Sequence, residues 1–234
     1  MAKEKEQNQK TTDTEIFIEK ENDSNAVENA VEKNKNVLIL GLGILAALIV
    51  GGYFLLGSNS EKEKEAQLEI YKAQYYFNKD SLNLAAKGDG VSITGMEDVA
   101  EEYSGTKAGN LANFYNGVIQ LKQGNYELAI NYLKEFDSDD LLVQARAYSL
   151  IGDANMELGN TDEAISAYKN AVDYKPNSAY TPGYLMKLTT ALESNGNNEE
   201  ALKAYKRIVD EFPASQEAST AKKYIAKLEI AAAN

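Results

Sequence analysis

Residues 145–178 read ARAYSLIGDANMELGNTDEAISAYKNAVDYKPNS, and the fold follows from their spacing. Apolar residues recur every three or four positions on both sides of Gly159-Asn160, the pattern of two amphipathic helices joined by a tight turn. Tyr148, Ile151, Gly152, Ala164, Tyr168 and Ala171 stand at positions 4, 7, 8, 20, 24 and 27 of the segment. Gly152 and Ala164 are small where the two helices must cross closely. Tyr148, Ile151 and Tyr168 are large enough to fill the space around that crossing. Gly159 readily takes the left-handed conformation that ends a helix. Asn160 is a natural N-cap for the next helix, and Glu163 three residues later completes a capping-box-like arrangement. Pro176, at position 32, stops the second helix.

The same landmarks recur on both sides. Upstream, Gly117, Gly124 and Ala129 precede their counterparts by 35 residues; downstream, Gly196, Ala201, Tyr205 and Pro213 follow theirs by 37. The turns GNYELA, GNTDEA and GNNEEA each place Gly before Asn, so Asn125 and Asn197 are expected to cap as Asn160 does, with Glu200 completing a second box. The longer downstream spacing fits a turn at Pro182-Gly183. A helical hairpin of this kind cannot bury its own apolar face, so neighbours must stack and the ends need covers. These positions are the signature of the tetratricopeptide repeat, which the chain resembles over 110–213 as three copies. Asn155 departs from it, standing where that family prefers a large aromatic, as does Asn116 at the usual Leu position.

The expected fold is therefore all-α, a solenoid of helix-turn-helix units. Residues 214–231 read as a C-terminal capping helix, with Ala218, Ala221, Tyr224, Ile225 and Leu228 on one side. Residues 61–104 read as a juxtamembrane helix (Glu61–Phe77) and a degenerate first repeat, with short helices at Asp80–Ala86 and Met96–Tyr103.

Upstream, residues 37–56 read VLILGLGILAALIVGGYFLL, without a charged side chain. Twenty residues at about 1.5 Å rise give roughly 30 Å, the thickness of a bilayer core, so a single transmembrane helix is expected here. The following GSNSEKEK lacks the small-x-small site of a cleaved signal peptide. Gly43, Ala47 and Gly51 make a small-xxx-small face on which another membrane helix could pack, although membrane helices are rich in Gly and Ala in general. Lys33 and Lys35 lie closer to the span than Lys62 and Lys64, a slight bias toward a cytoplasmic N-terminus. Residues 1–36 form a polar tail with too little apolar surface to offset the entropy of ordering, and are expected to be disordered.

Composition excludes several function classes. The chain has 36 Asp and Glu against 24 Lys and Arg, a net charge of -12, and no basic stripe to hold a nucleic-acid backbone. It has no His and no Cys, which removes imidazole bases, thiolate nucleophiles and nearly all zinc ligation. Lys87-Gly88-Asp89-Gly90 lacks Walker spacing and reads as a turn. The acidic DSDD at 137–140 lacks the glycine and terminal Glu of a calcium loop and reads as an inter-repeat loop. No catalytic, metal or cofactor-binding residue emerges, and no small-molecule substrate; a binding protein rather than an enzyme is expected.

What such a solenoid offers is the surface lined by the first helix of each hairpin. By position, that surface presents Leu111, Phe114, Val118 and Leu121 in the first copy, an apolar set expected to be covered as internal packing. In the second it presents Arg146, Ser149, Asp153 and Met156, and in the third Met186, Thr190 and Glu193. These seven mixed residues are the candidate groove for a peptide or extended chain, without the basic clamp that a C-terminal carboxylate requires.

Three stretches carry a narrower likeness: YFNKDSLNLAAKGDG at 76–90, EEYSGTKAGNLANFYNGVIQL at 101–121 and TPGYLMK at 181–187. With one membrane helix ahead of a short repeat array, the chain resembles the YfgM-like group of bacterial envelope proteins over about residues 35–230. The resemblance implies a single-pass inner-membrane protein with a periplasmic repeat domain, in contact with Sec translocon subunits, chaperones or exported chains. The long acidic tail before the span departs from that group. Two other readings stay open: a structural scaffold for outer-membrane or cell-wall assembly complexes, and a membrane-tethered cytoplasmic adaptor.

Overall fold

The computed structural model describes residues 60–233. The expected membrane span at 37–56, with Gly43, Ala47 and Gly51, and the polar tail at 1–36 lie outside them. Among the described residues no helix is long and apolar enough to cross a membrane.

The described chain is helical throughout, with α1 over 60–78, α2 Leu82–Lys87, α3 Met96–Glu102, α4 Lys107–Lys122, α5 Tyr126–Glu135, α6 Val143–Glu157, α7 Thr161–Asp173, α8 Thr181–Ser194, α9 Asn198–Glu211 and α10 Gln216–Ala233. From α2 onward each helix packs on the next, and α10 also reaches α8. This is the all-α solenoid that the spacing requires. Three hairpins (α4–α5, α6–α7 and α8–α9) repeat one geometry. The close crossing explains the small residues: a methyl group on Gly152 would stand 2.5 Å from the Tyr168 ring, and one on Gly117 would stand 2.4 Å from Leu133 Cγ.

Each hairpin turns through the same backbone device. Gly124, Gly159 and Gly196 take φ of +80°, +76° and +75°. Their N–H groups donate to the carbonyls of Leu121, Met156 and Glu193. The following Asn125, Asn160 and Asn197 donate their backbone N–H groups to Gln120, Asn155 and Leu192 at 2.8–2.9 Å. These paired bonds form a Schellman motif, which satisfies the last carbonyls of the first helix. The expected side-chain caps are not formed at any of the three asparagines, and the capping boxes with Glu163 and Glu200 are absent. Asn125 and Asn160 instead turn their amides back to Gln120 and Asn155 at 2.8 and 3.5 Å. Gln120, 35 residues before Asn155 and so at the same position of the repeat, ties its helix end closely to the turn, and Asn155 does so through a long bond.

The connection before α8 also differs from expectation. Pro182 and Gly183 lie within its first turn, where proline's missing N–H leaves no bond unmade, rather than in a separate turn. The turn itself is made by Asn177, whose Oδ1 accepts from Ala179 and Tyr180 N–H at 3.1 and 3.0 Å.

Three apolar clusters follow one another along the stack. The first joins α1 to α4 through Ala66, Ile70, Met96, Val99 and Ile119. The second joins α4 to α7 through Phe114, Ile130, Leu133 and Ile151. The third joins α7 to α10 through Tyr168, Leu185, Leu192, Tyr205, Ile208 and Leu228. At the N-terminal end α1 is bolted on by polar contacts: Glu63 accepts from Lys107 N–H at the start of α4, and Lys62 donates to the Glu102 carbonyl. In the 88–95 loop, the Asp89 carboxylate accepts from the N–H groups of Val91, Ser92 and Ile93. Those bonds hold its pKa well below the usual carboxylate range and make the segment a self-closed turn.

Candidate functional site

The A helices of the three hairpins, α4, α6 and α8, share one side of the solenoid. Between them lies a concavity of about 480 Å³ lined by Leu121, Tyr126, Asp153, Met156, Glu157, Tyr168, Lys187 and Thr190. Its polar centre is Asp153. The buried Tyr168 donates its hydroxyl to Asp153 Oδ1 at 2.8 Å. Lys187 reaches back from α8 to Asp153 Oδ2 at 2.6 Å, to Oδ1 at 2.9 Å and to Ser149 Oγ at 3.2 Å. Burial pushes the Tyr168 phenol well above its ordinary value, and the negative charge and hydrogen bond of Asp153 push the same way. The ring is thus held neutral and fixed in orientation.

The third hairpin repeats the motif with a different acid: Tyr205 donates to Glu193 Oε1 at 2.6 Å. Its phenol is raised chiefly by burial and then by that bond. Position 24 therefore carries a tyrosine anchored to an acid on its own A helix in both C-terminal hairpins.

Of the seven groove residues expected from position, the structure gathers Asp153, Met156 and Thr190 in the concavity itself. Ser149 is buried beneath Lys187. Arg146 is exposed outside the concavity, on the same turn of α6 as Ser149, near the Tyr184 phenol. Met186 packs against the third apolar cluster, and Glu193 is occupied by Tyr205. In the first copy Phe114 and Val118 are buried, while Leu121 alone reaches the cavity wall. Position counting missed Tyr126, Glu157, Tyr168 and Lys187. Tyr168 was visible as a packing residue and Glu157 stands beside Met156 on α6; Tyr126 and Lys187 depend on how successive hairpins rotate, which no single repeat encodes.

The DSDD loop turns inward onto backbone. Asp140 Oδ1 accepts from Leu142 and Val143 N–H at 2.8 and 3.0 Å, which caps α6 and lowers the Asp140 pKa. Among the described residues no group of Asp and Glu is placed to hold a metal ion.

Stacked helical hairpins with glycine-closed turns, small residues at each crossing and a groove on the A-helix side define a repeat solenoid of the protein-binding class. The second and third hairpins are tetratricopeptide repeats: models of that repeat match residues 145–178 and 184–215. Solved structures agree on the fold. The crystal structure of MamA protein is similar at a TM-score of 0.52 and 19% identity, covering 70% of this chain and 85% of that one. Nearly identical TPR-like repeats of a kinesin light chain from Podosopora anserina are similar at a TM-score of 0.54 and 13% identity, covering 73% and 88%. None of the curated proteins compared matches the chain.

Proposed function

We propose that this protein is a membrane-tethered binding module of the bacterial cell envelope that holds a segment of a partner protein in the groove on its A-helix side. The observation that carries the reading is the concavity between α4, α6 and α8, where Leu121, Met156 and the Tyr126 and Tyr168 rings surround a fixed polar centre. Apolar walls with a few anchored polar groups suit a side chain of a bound polypeptide. Catalysis is not part of the proposal: the polar groups at the centre, Asp153, Lys187, Ser149 and Tyr168, are bonded to one another.

Tethering rests on the uncharged stretch 37–56. Placement of the repeats in the periplasm, and work beside the Sec translocon or periplasmic chaperones, rest on the YfgM-like resemblance. Two fusions at Asn234 test this reading, one to a phosphatase active only outside the cytoplasm and one to a fluorescent protein that folds only inside it. Phosphatase activity without fluorescence is expected, and cross-linking from the groove should then yield translocon subunits, chaperones or exported chains. Fluorescence alone would make the chain a cytoplasmic adaptor. Cross-links confined to outer-membrane or cell-wall assembly subunits would make it a scaffold.

A further inference from the structure

The charges in the concavity do not balance, and the imbalance says which side chain it takes. Lys187 directs its ammonium at both oxygens of Asp153 and at Ser149, which accounts for its three protons. That pair is closed. Glu157, one residue beyond Met156 on α6, is exposed at the same wall, and its one hydrogen bond among the described residues is a long one accepted from the Tyr126 hydroxyl at 3.4 Å. No cation among the described residues pairs with it.

Resting on the groove reading above, we propose that the concavity selects a lysine or arginine side chain presented by an extended segment of a partner polypeptide. The aliphatic stem of such a residue would lie on Leu121 and Met156, and its charge would reach the Glu157 carboxylate beside the Tyr126 ring. Long cationic side chains are the type that needs an apolar wall and an acid at its end together. An acidic side chain would meet Glu157 and Asp153 with no free cation to receive it. The chain's net charge of -12 draws cationic segments toward the surface before contact. A second apolar depression, over Leu185, Leu188 and Leu192, offers no such opening. Ion pairs Lys169–Glu200 at 3.1 Å and Arg207–Asp173 at 3.2 Å stand at its rim.

The test uses the full chain in mild detergent and three labelled peptides of equal length, identical except for two central residues that are Lys, Gln or Glu. Fluorescence anisotropy at low salt should rank them Lys, Gln, Glu, with roughly tenfold between the ends and the gap closing as salt is raised. Glu157→Lys, an exposed substitution that leaves the core untouched, should reverse the order. Equal binding of all three would overturn the charge selection while leaving the groove as a peptide site. A preference for Lys that Glu157→Lys does not change would place the cationic site elsewhere and overturn the inference. Binding of none would remove the groove reading together with it.

Discussion

The first and second hairpins share a backbone geometry, yet their A-helix faces meet the next repeat in opposite ways. Phe114, Val118 and Leu133 in the first stand where Ser149, Asp153 and Tyr168 stand in the second, 35 residues on. Leu150 of the next A helix packs against the cluster that holds Phe114 and Val118. Its counterpart 37 residues later is Lys187, which bonds Ser149 and Asp153. An apolar lock between successive repeats has become an ionic one. The repeat framework tolerates either, because the glycine at position 8 and the alanine at position 20 set the crossing in both. The ionic lock leaves its surroundings wet and open, and that is where the concavity lies.

The largest effect is expected in the core that the two hairpins share. Tyr168→Ala and Leu133→Ala should each cost about 3–4 kcal/mol in urea unfolding, since both side chains are buried under a glycine crossing. A loss below about 1 kcal/mol for either would mean that its hairpin does not depend on position 24.

A smaller effect separates the two locks. Asp153→Val alone should destabilise by about 1–2 kcal/mol, because it strands the buried Tyr168 hydroxyl and the Lys187 ammonium. Adding Lys187→Leu supplies the leucine of the first lock and should recover the part of that loss due to the unpaired ammonium, the Tyr168 hydroxyl staying unpaired. If the double variant is as unstable as the single one, the locks are not interchangeable.

The smallest effect is read in alkali. Tyr168 has its folded pKa raised above the unfolded value of about 10. Its contribution is therefore complete below about pH 10 and is lost as pH rises, because the unfolded chain releases the phenolic proton first. Tyr168→Phe should cost about 1 kcal/mol at neutral pH and flatten the fall in Tm above pH 10. An unchanged alkaline slope would mean that its surroundings, burial first, do not hold the Tyr168 phenol protonated.

These residues also mark how far the sequence could be read. Helix pairing, crossing points and glycine turns were legible because each depends on local spacing within one repeat. Asn125, Asn160 and Asn197 were legible as turn residues but not in their bonding, since side-chain capping and a backbone Schellman closure favour the same amino acid. The groove was only partly legible. Asp153 and Met156 follow from position on one helix, whereas Lys187 arrives from the next hairpin and Tyr126 from the previous one, at angles set by the stack. Met186 had a suitable position but packs against the third apolar cluster, and Arg146 lies exposed outside the concavity.

The ties between neighbouring hairpins have one further consequence. Tyr126–Glu157, Lys169–Glu200, Lys187–Asp153, Arg207–Asp173 and Tyr174–Ser138 all join residues 31 to 36 apart. Sequence separations of about one repeat give the described residues a low contact order, so that ordering can proceed between neighbours. A polypeptide delivered N-terminus first can complete each hairpin against the one before it as soon as one more repeat arrives. The unfinished edge at any moment is then a single helix pair.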